Sequence, residues 1–516
     1  MTETSVLNEW LLQHPPPTAF IRAIRGSPSH LSLTSPTHID DNQYVDTVTP
    51  QYRNSRASML GIQNGHAARN CQGMSRRTAI KAGFLGLGGL TTADLLRLQA
   101  EGSAAKNGKS VILIWLDGGP SQLETYDPKP DAPAEYRGPF DAISTNVPGI
   151  QLSATLPLHA QHAEKMVFVR SLHHGTGDHF AGAHWMLTGR FGSTTANKTQ
   201  KYPSVGSYVA RVKGANQPGV PAYVGLPAAQ SVYLYPGYQG PAYLGGAFKP
   251  FDVQTTQKYL SSEYKAAIKP PECLKNFEQL DADRSNSRMS LLGSLDRLER
   301  QVDQSGMMDS MDRYQHQAVD MILGGKARAA FDIEKEDPKT RDRYGRGPWG
   351  HYTLMARRLV EAGVSFVTVD MPHWDNHSGI EKGHGTKLVR VDWAVSALLD
   401  DLQSHGLLDD VMVLVMGEFG RTPRLNKGQP GIPIPGRDHW GNAISAMIAG
   451  GGFKGGQVIG ATNDKAEHPI RRALKPGDLL ATVYRNLGID ITQSFLDHAG
   501  RPIPILPEGR AIQEVF

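Results

Sequence analysis

The stretch that decides the fold is "SVILIWLDGGPSQLETYDPKP", residues 110–130. Its first seven residues form a continuous apolar run without alternation, which is typical of a β-strand buried on both faces. The run ends at Asp117-Gly118-Gly119-Pro120, a sharp turn. Functional side chains gather at such carboxyl ends of strands in open α/β sheets. The stretch therefore predicts a buried strand of an α/β sheet with Asp117 at its carboxyl end.

The same layout recurs three times along the chain. In each case a buried apolar run is followed directly by polar side chains, and helical patterns lie between the runs. This alternation predicts an α/β fold with a mostly parallel central sheet and helices on both faces. The three further stretches in which polar residues follow a predicted strand are "KMVFVRSL" (165–172) before "GTGDHFAGAHWMLTGR" (175–190), "VSFVTVDMPHWDNHSG" (364–379) and "DVMVLVMGEFGRTPRLN" (410–426).

The middle of the chain, about 215–345, has a different composition. Residues 221–250 are rich in Gly, Pro and Tyr, which suggests loops and irregular strands, and residues 287–323 have apolar residues at helical spacing. We therefore expect an irregular insertion at about 215–345 that covers a site and shapes its pocket.

The first hundred residues do not look like part of the folded domain. Residues 1–73 are rich in Pro, Ser, Thr and His without a sustained period, so they are interpreted as disordered, or as an untranslated upstream extension with Met74 as the start. Residues 74–105 contain Arg76-Arg77, a weakly apolar Gly-rich stretch and small residues. This layout predicts a twin-arginine export signal, cleaved or kept as an anchor, with a short basic surface helix as the alternative.

The expected mature domain, 106–516, contains no segment of membrane-spanning length, so a periplasmic or extracellular protein is expected. The full length of 516 residues favours one large α/β domain with insertions, or two domains. The net charge of +4, without a long Lys/Arg run after the first hundred residues, argues against a nucleic-acid surface. The oligomeric state is not indicated.

Two cysteines, Cys71 and Cys273, are too few for a disulfide framework or a cysteine-based zinc site. Any metal must therefore be held by His, Asp and Glu. Such ligands favour a divalent ion, namely zinc, manganese, magnesium or calcium.

Five groups of histidines and carboxylates follow the predicted strands or lie in Gly-rich turns. Taken singly, a histidine near a strand end is more often a hydrogen-bonded structural residue. Burying several carboxylates at one sheet edge is costly unless a cation compensates them, and neutral imidazoles are suitable ligands beside them. Together the groups therefore predict a divalent metal site. They are Asp117; Asp178 with His179; His373, Asp375 and His377; Glu418; and Asp438 with His439.

Two of these groups have more than one reading. In "PHWDNHSG" (372–379), the Pro, Ser and Gly residues indicate a loop, in which Asp375 and His377 point the same way; this pair is favoured over two histidines on a helix. In "GRDHWGNA" (436–443), Asp438 either caps a helix or joins His439 in binding the metal.

These motifs resemble the alkaline phosphatase and sulfatase superfamily. More closely, they resemble a bacterial branch of it, the domain-of-unknown-function family numbered fifteen hundred and one. The resemblance spans about 108–516 and implies an alkaline-phosphatase-like α/β fold and metal-dependent ester chemistry. Its marks are "LDGGPSQLETYDPKP", "MLTGR", "HWDNH", "GEFGRTPRLN", "GRDHWGN" and "GDLLATVYRNLGID".

The resemblance implies roles for the metal side of the site. The superfamily's metal ligands match Asp117, Asp375 with His377, and His439 by order along the chain. Glu418 stands where the superfamily has an aspartate, but Phe419 replaces the ligand next to it, so one ion is favoured over two. Asp438 is the remaining candidate ligand.

The nucleophile of the superfamily lies ten residues before the Gly of a Thr-Gly turn. Counting back ten from Gly189 reaches His179, where no Ser, Thr or Cys stands. His179 is therefore expected to attack the ester or to act as acid and base, with Asp178 orienting it or capping the helix. Ser121 and Thr125 are fallback nucleophiles, with a turn or helix cap as their structural reading.

Two functions are consistent with these residues. One is an exported metal-dependent hydrolase of small-molecule or glycan esters of phosphate or sulfate, in which Arg421 holds the anion's oxygens and His184 lies at the rim of the pocket. The other is a non-catalytic, metal-stabilised protein that binds a sulfated or phosphorylated glycan or a protein partner. The replaced nucleophile and Phe419 favour the second function, and the retained His/Asp/Glu set favours the first.

Overall fold

A computed structural model of the protein describes three ranges of the chain, namely 108–228, 239–253 and 325–516. Several expectations from the sequence lie outside these residues. They are the upstream extension 1–73, the signal segment 74–105, both cysteines, and most of the insertion expected at about 215–345.

The described residues form sixteen β-strands, most of them short. In chain order they are β1 (Ser110–Trp115), β2 (Ala142–Ser144), β3 (Gln151–Ser153), β4 (Met166–Leu172), β5 (Tyr223–Leu226), β6 (Phe251–Asp252), β7 (Phe366–Asp370), β8 (Val411–Met416), β9 (Gly420–Arg421), β10 (His439–Trp440), β11 (Ile444–Gly450), β12 (Gln457–Ile459), β13 (Ala461–Thr462), β14 (Pro469–Arg471), β15 (Ser494–Leu496) and β16 (Pro502–Pro504).

Nine α-helices accompany these strands in the described ranges. They are α1 (Ala134–Arg137), α2 (Pro157–Gln161), α3 (His179–Thr188), α4 (Val205–Val212), α5 (Lys326–Phe331), α6 (Pro338–Tyr344), α7 (Pro348–Ala362), α8 (Ile380–Ser404) and α9 (Pro476–Asn486). None of these nine described helices combines the length and the apolar character that crossing a membrane requires.

Eight of the strands build one central sheet in the order β12-β4-β11-β8-β1-β7-β5-β6. All neighbouring strands are parallel except at β11, which is antiparallel to both β4 and β8. Seven strands therefore run in one direction, and the predicted mostly parallel α/β sheet is confirmed.

Strand β1 shows why its sequence is apolar throughout. Its side chains alternate between two buried cores, one on each face of the sheet. Ile112 and Ile114 belong to the core to which α7 and α8 contribute, whereas Val111 and Leu113 belong to the core of α3 and α9. Because both faces are covered by helices, neither set of alternate residues meets water, and the expected two-sided arrangement is confirmed.

The carboxyl edge of the sheet collects the polar segments. Strands β1, β4, β7 and β8 all end at this edge, and the reversed strand β11 begins there, directly after β10. The turn after β1 presses against the loop after β7. Gly118 has a φ of +111°, and a Cβ atom at this position would lie 2.8 Å from the backbone nitrogen of Asp375. Glycine is therefore required for this close approach.

Candidate metal centre

Three histidines surround the carboxylate of Asp375 at this edge. Oδ1 of Asp375 lies 2.9 Å from Nε2 of His439 and 3.0 Å from Nε2 of His377. Its other oxygen, Oδ2, lies 3.4 Å from Nε2 of His179. The Nε2 atoms of His377 and His439 are 3.0 Å apart. Segments that follow β4 and β7 and the short strand β10 thus bring four candidate ligands together.

The far nitrogen of each imidazole is held by an oxygen atom. A carbonyl or carboxylate oxygen can only accept, so Nδ1 carries the proton, and the lone pair of the neutral ring lies on Nε2. When all three rings are neutral, their lone pairs therefore face Asp375, as in metal sites whose histidines are oriented by outer partners. The pairs are His179 with Glu418 (2.7 Å), His377 with Asp438 (2.7 Å) and His439 with the carbonyl of Gly177 (2.8 Å).

Glu418 and Asp438 were both expected as metal ligands. Each instead contacts the Nδ1 atom of a histidine, on the side of the ring that faces away from Asp375. Glu418 is fully buried, and its carboxylate also accepts from the backbone nitrogen of Gly118 at 2.9 Å. Asp438 lies on the open side of the cluster, with its side chain 55% exposed. Asp117 is buried at the end of β1, and its carbonyl accepts from the backbone nitrogen of Trp374 at 3.1 Å.

Arg421 occupies a different position from the substrate-facing one expected. Its side chain is fully buried, and Nη2 donates to Oδ1 of Asp375 at 2.7 Å. The other donors serve main-chain carbonyls, with Nε 2.8 Å from that of Gly119 and Nη1 3.2 Å from that of Arg437. Nη2 also donates to the carbonyl of Gly118. The guanidinium therefore fixes Asp375 against the turn after β1.

Asp178 and His184 are not brought into the cluster. Asp178 caps α3, since its Oδ1 accepts from the backbone nitrogen of Ala181 at 3.0 Å, and its Oδ2 accepts from that of Thr195 at 2.8 Å. This is the capping alternative considered for Asp178. His184 is fully buried, and its Nδ1 donates to the carbonyl of Arg190 at 2.8 Å.

The cluster shifts the proton affinities of its members. Burial acts to lower the pKa of His179, but hydrogen bonds to Asp375 and Glu418 outweigh it and raise this pKa to about 9. The hydrogen bond to Asp375 also raises the pKa of His377. Burial acts to raise the pKa of Asp375, yet the histidines and Arg421 hold it well below its usual range. The metal-free cluster therefore retains protons that a bound cation would displace.

The donor atoms fit a divalent cation. Three imidazole nitrogens and one carboxylate oxygen are ligands that zinc and related ions accept. Bonds of about 2.0–2.1 Å to a tetrahedral zinc ion separate neighbouring ligand atoms by about 3.3 Å. Four separations between these atoms, those of Asp375 from each histidine and that between His377 and His439, are 2.9, 3.0, 3.4 and 3.0 Å. In the described residues, the group whose ligand atoms all lie within 4.8 Å of one another consists of His179, Asp375 and His439, and His377 adjoins it through Asp375 and His439.

The sequence profile of a family described as "Protein of unknown function (DUF1501)" matches residues 108–516. The chain belongs to the DUF1501 family. Every residue of the candidate metal centre lies within the match. No curated protein matches the chain.

Solved structures similar to this DUF1501 chain include three enzymes. The lipoteichoic acid synthase LtaP from Listeria monocytogenes is 12% identical, with 75% of this chain and 74% of that chain covered and a TM-score of 0.33. The PsFucS1 sulfatase from Pseudoalteromonas sp. is 12% identical, with 76% and 72% covered and a TM-score of 0.35. The alkaline phosphatase from the Antarctic bacterium TAB5 is 11% identical, with 74% and 98% covered and a TM-score of 0.33.

Three residues of this DUF1501 chain support the cluster but were not expected from the sequence. His174 donates from Nε2 to the carbonyl of Glu418 at 2.6 Å, and burial lowers its pKa to about 4. Asn426 donates to the carbonyl of His377 at 3.0 Å. Asn376 accepts a hydrogen bond from His384 of α8 at 3.1 Å. The only signal for the first two is their nearness to strand ends, which many structural residues share.

Phe419 takes part as a packing residue. Its ring centroid lies 4.8 Å from that of His179 and 4.5 Å from that of His439. The ring thus packs against both imidazoles.

Proposed function

We propose that this chain is a metal-dependent hydrolase of phosphate or sulfate esters with a single divalent ion. The proposed ligands are Nε2 of His179 and His439 and the carboxylate of Asp375, with Nε2 of His377, which lies 3.0 Å from Asp375 and from His439, as the fourth. The observation that carries the proposal is the position of three Nε2 atoms within 3.4 Å of the Asp375 carboxylate, with an oxygen atom at each Nδ1. Glu418 and Asp438 then act as orienting partners of His179 and His377 rather than as ligands.

The donor set also narrows the choice of ion. Calcium and magnesium prefer sites made of oxygen ligands, whereas imidazole suits zinc and other transition metals. Zinc is therefore favoured over manganese, calcium and magnesium among the four ions considered. When bound, such an ion polarises an ester oxygen and lowers the pKa of a coordinated water.

The same geometry supports water, rather than a side chain, as the nucleophile. Both ring nitrogens of His179 face carboxylates, at 2.7 Å from Glu418 and 3.4 Å from Asp375, which is the arrangement of a ligand. Ser121 is fully buried, and the hydroxyl of Thr125 donates to the carbonyl of Ser121 at 2.7 Å. These contacts argue against the three side-chain nucleophiles considered from the sequence.

Binding of an anionic ester is supported by the start of α3. His179 is the first residue of this ten-residue helix, and a helix N-terminus favours a negative group. The substrate class, a small-molecule or glycan ester, rests on the motif resemblance. The twin-arginine export route is part of the same proposal and rests on Arg76-Arg77.

The experiment measures hydrolysis of an aryl phosphate and an aryl sulfate by the full-length chain loaded with zinc or manganese. We compare wild type with His439→Ala and with His184→Ala, which removes a buried histidine outside the cluster. Activity in wild type and His184→Ala that is lost in His439→Ala supports the proposal. Tight metal binding without hydrolysis of either ester contradicts it and favours the non-catalytic binding protein.

A further inference from the structure

Asn376 stands between two of the proposed ligands but faces away from them. Its neighbours in the chain, Asp375 and His377, enter the cluster, whereas its own Oδ1 contacts α8. Nδ1 of His384 donates to this oxygen at 3.1 Å, and Nζ of Lys387 donates to it at 3.0 Å. One residue of the loop thus contacts α8 while its two neighbours reach the cluster.

His384 is suited chemically to join two loops. Its Nε2 lies 3.0 Å from the backbone nitrogen of Ser121, which can only donate, so Nε2 accepts and Nδ1 carries the proton given to Asn376. The ring is fully buried and meets Trp374 edge-on at 5.2 Å between centroids. One neutral imidazole therefore satisfies a donor on one loop and an acceptor on the other.

The two loops are those that shape the metal centre. Ser121 lies in the turn after β1, where the backbone nitrogen of Gly118 donates to Glu418, the partner of His179. Asn376 lies in the loop that carries Asp375. His384 thus connects the segment that orients one proposed ligand with the segment that supplies another.

The surface of α8 is adapted to Asn376. A Cβ atom at Gly383 would lie 2.4 Å from Nδ2 of Asn376, so only glycine permits this approach. Glycine is unfavourable within a helix, and the contact explains its presence in the first turns of α8. Lys387 also donates to the carbonyl of His373, which gives the loop a second attachment to the same helix.

We propose that Asn376, His384 and Lys387 form a latch, called here the α8 latch, that positions Asp375 and His377 for metal binding. None of the three residues touches the ion, so they are positioning residues. The inference rests on the metal centre of the proposed function and extends it to a helix that supplies no ligand.

The test compares Asn376→Ala and His384→Phe with wild type in the metal-free, full-length chain. Each variant is titrated with Co²⁺, and affinity and the visible absorption bands of the ion are recorded. The matched control is His159→Phe, because His159 is also fully buried and bonds to α8, through Asp392 at 2.6 Å. His384→Gln serves as the conservative variant, since an amide can both accept from Ser121 and donate to Asn376.

The α8 latch predicts a loss of Co²⁺ affinity of about 10–100-fold in Asn376→Ala and His384→Phe, as for other outer partners of ligands, together with altered absorption bands. His159→Phe lowers the melting temperature but keeps the wild-type affinity and bands, and His384→Gln recovers most of the affinity. Wild-type affinity and bands in both latch variants overturn the inference. If His384→Phe does not fold, the Co²⁺ affinity and absorption bands of Asn376→Ala decide whether the inference stands.

Hydrogen–deuterium exchange of the metal-free proteins separates this inference from the proposed function. Faster exchange of residues 372–377 in Asn376→Ala, but not in His159→Phe, supports the α8 latch even if wild type binds no Co²⁺. If wild type binds no Co²⁺ and residues 372–377 of Asn376→Ala exchange at the wild-type rate, the inference is overturned. Normal Co²⁺ binding with a latch effect, but without ester hydrolysis, counts against the proposed function alone.

Discussion

Nε2 of His439 lies 2.9 Å from Oδ1 of Asp375, although the two residues are 64 positions apart in the chain. The contact joins the loop after β7 to strand β10, and the same carboxylate receives His377 and Arg421. Holding this many polar groups together is costly without a compensating ion, so loss of either residue is expected to weaken metal binding.

The substitution His179→Ala distinguishes a metal-ligand role of His179 from a nucleophilic role. As a ligand, His179→Ala lowers metal affinity by more than the roughly 10–100-fold that loss of an outer partner costs. As a nucleophile, the same change abolishes hydrolysis and leaves metal affinity intact. Competition with a chelating dye measures the affinity, and His184→Ala on the same helix is the control. Unchanged affinity in His179→Ala rules out the ligand role.

Glu418→Gln tests the orienting role of this carboxylate. The glutamine keeps a hydrogen-bond acceptor for His179 but loses the charge, so metal affinity falls by about 10–100-fold while one ion per chain still binds at saturation. Asp438→Asn is the matched change at His377, and its effect is smaller because Asp438 is 55% exposed. A loss in Glu418→Gln as large as that in His439→Ala means instead that Glu418 is itself a ligand.

The pH dependence of stability follows from the shifted pKa values. The pKa of His179 rises from 6.5 to about 9 in the folded metal-free protein, so its contribution to stability is complete below pH 6.5 and is lost as pH rises through 9. The pKa of Asp375 is depressed below 3.8, so its contribution is present above pH 3.8 and is lost at lower pH.

A bound ion must displace the proton of His179, so the gain in melting temperature on metal binding grows between about pH 6.5 and about pH 9. Thermal melts of metal-free and metal-loaded protein across this range measure the gain. A gain that shrinks as pH rises is the result that the proposed ligand set does not allow.

Arg421 is expected to act on stability rather than on substrate binding. Arg421→Met leaves Asp375 and buried carbonyls without their donor and lowers the free energy of unfolding by about 3 kcal/mol. Arg421→Lys retains the charge but cannot serve all the acceptors, so its loss is intermediate. Urea unfolding measures both changes. A raised KM with unchanged unfolding in Arg421→Lys indicates the substrate-facing role expected from the sequence instead.

The sequence predicted the sheet because its strands are long apolar runs with covered faces. The run at 110–116 identified β1, and the runs before His179, Asp375 and Glu418 identified β4, β7 and β8. The antiparallel β11 was not predicted, since strand direction depends on pairing between distant segments. Its reversal brings His439 to the carboxyl edge of the sheet.

The location of the candidate site could be predicted from the sequence. The contacts that each of its side chains makes could be predicted less well. Strand ends indicate which residues meet, and they gathered His179, Asp375, His377 and His439. The sequence does not show whether a side chain after a strand is buried or points into the pocket, so Arg421 was expected to bind substrate. The α8 latch was missed because His384 lies in none of the quoted motifs, and its pairing with Asn376 depends on the packing of α8.

The most direct test of the central claim is the metal content of the purified full-length chain, measured by inductively coupled plasma mass spectrometry. The account predicts one divalent ion per chain in wild type and in His184→Ala, and its loss in Asp375→Ala and His439→Ala. A wild-type protein that purifies without metal, and whose melting temperature does not rise with added zinc, manganese, magnesium or calcium, would contradict the account.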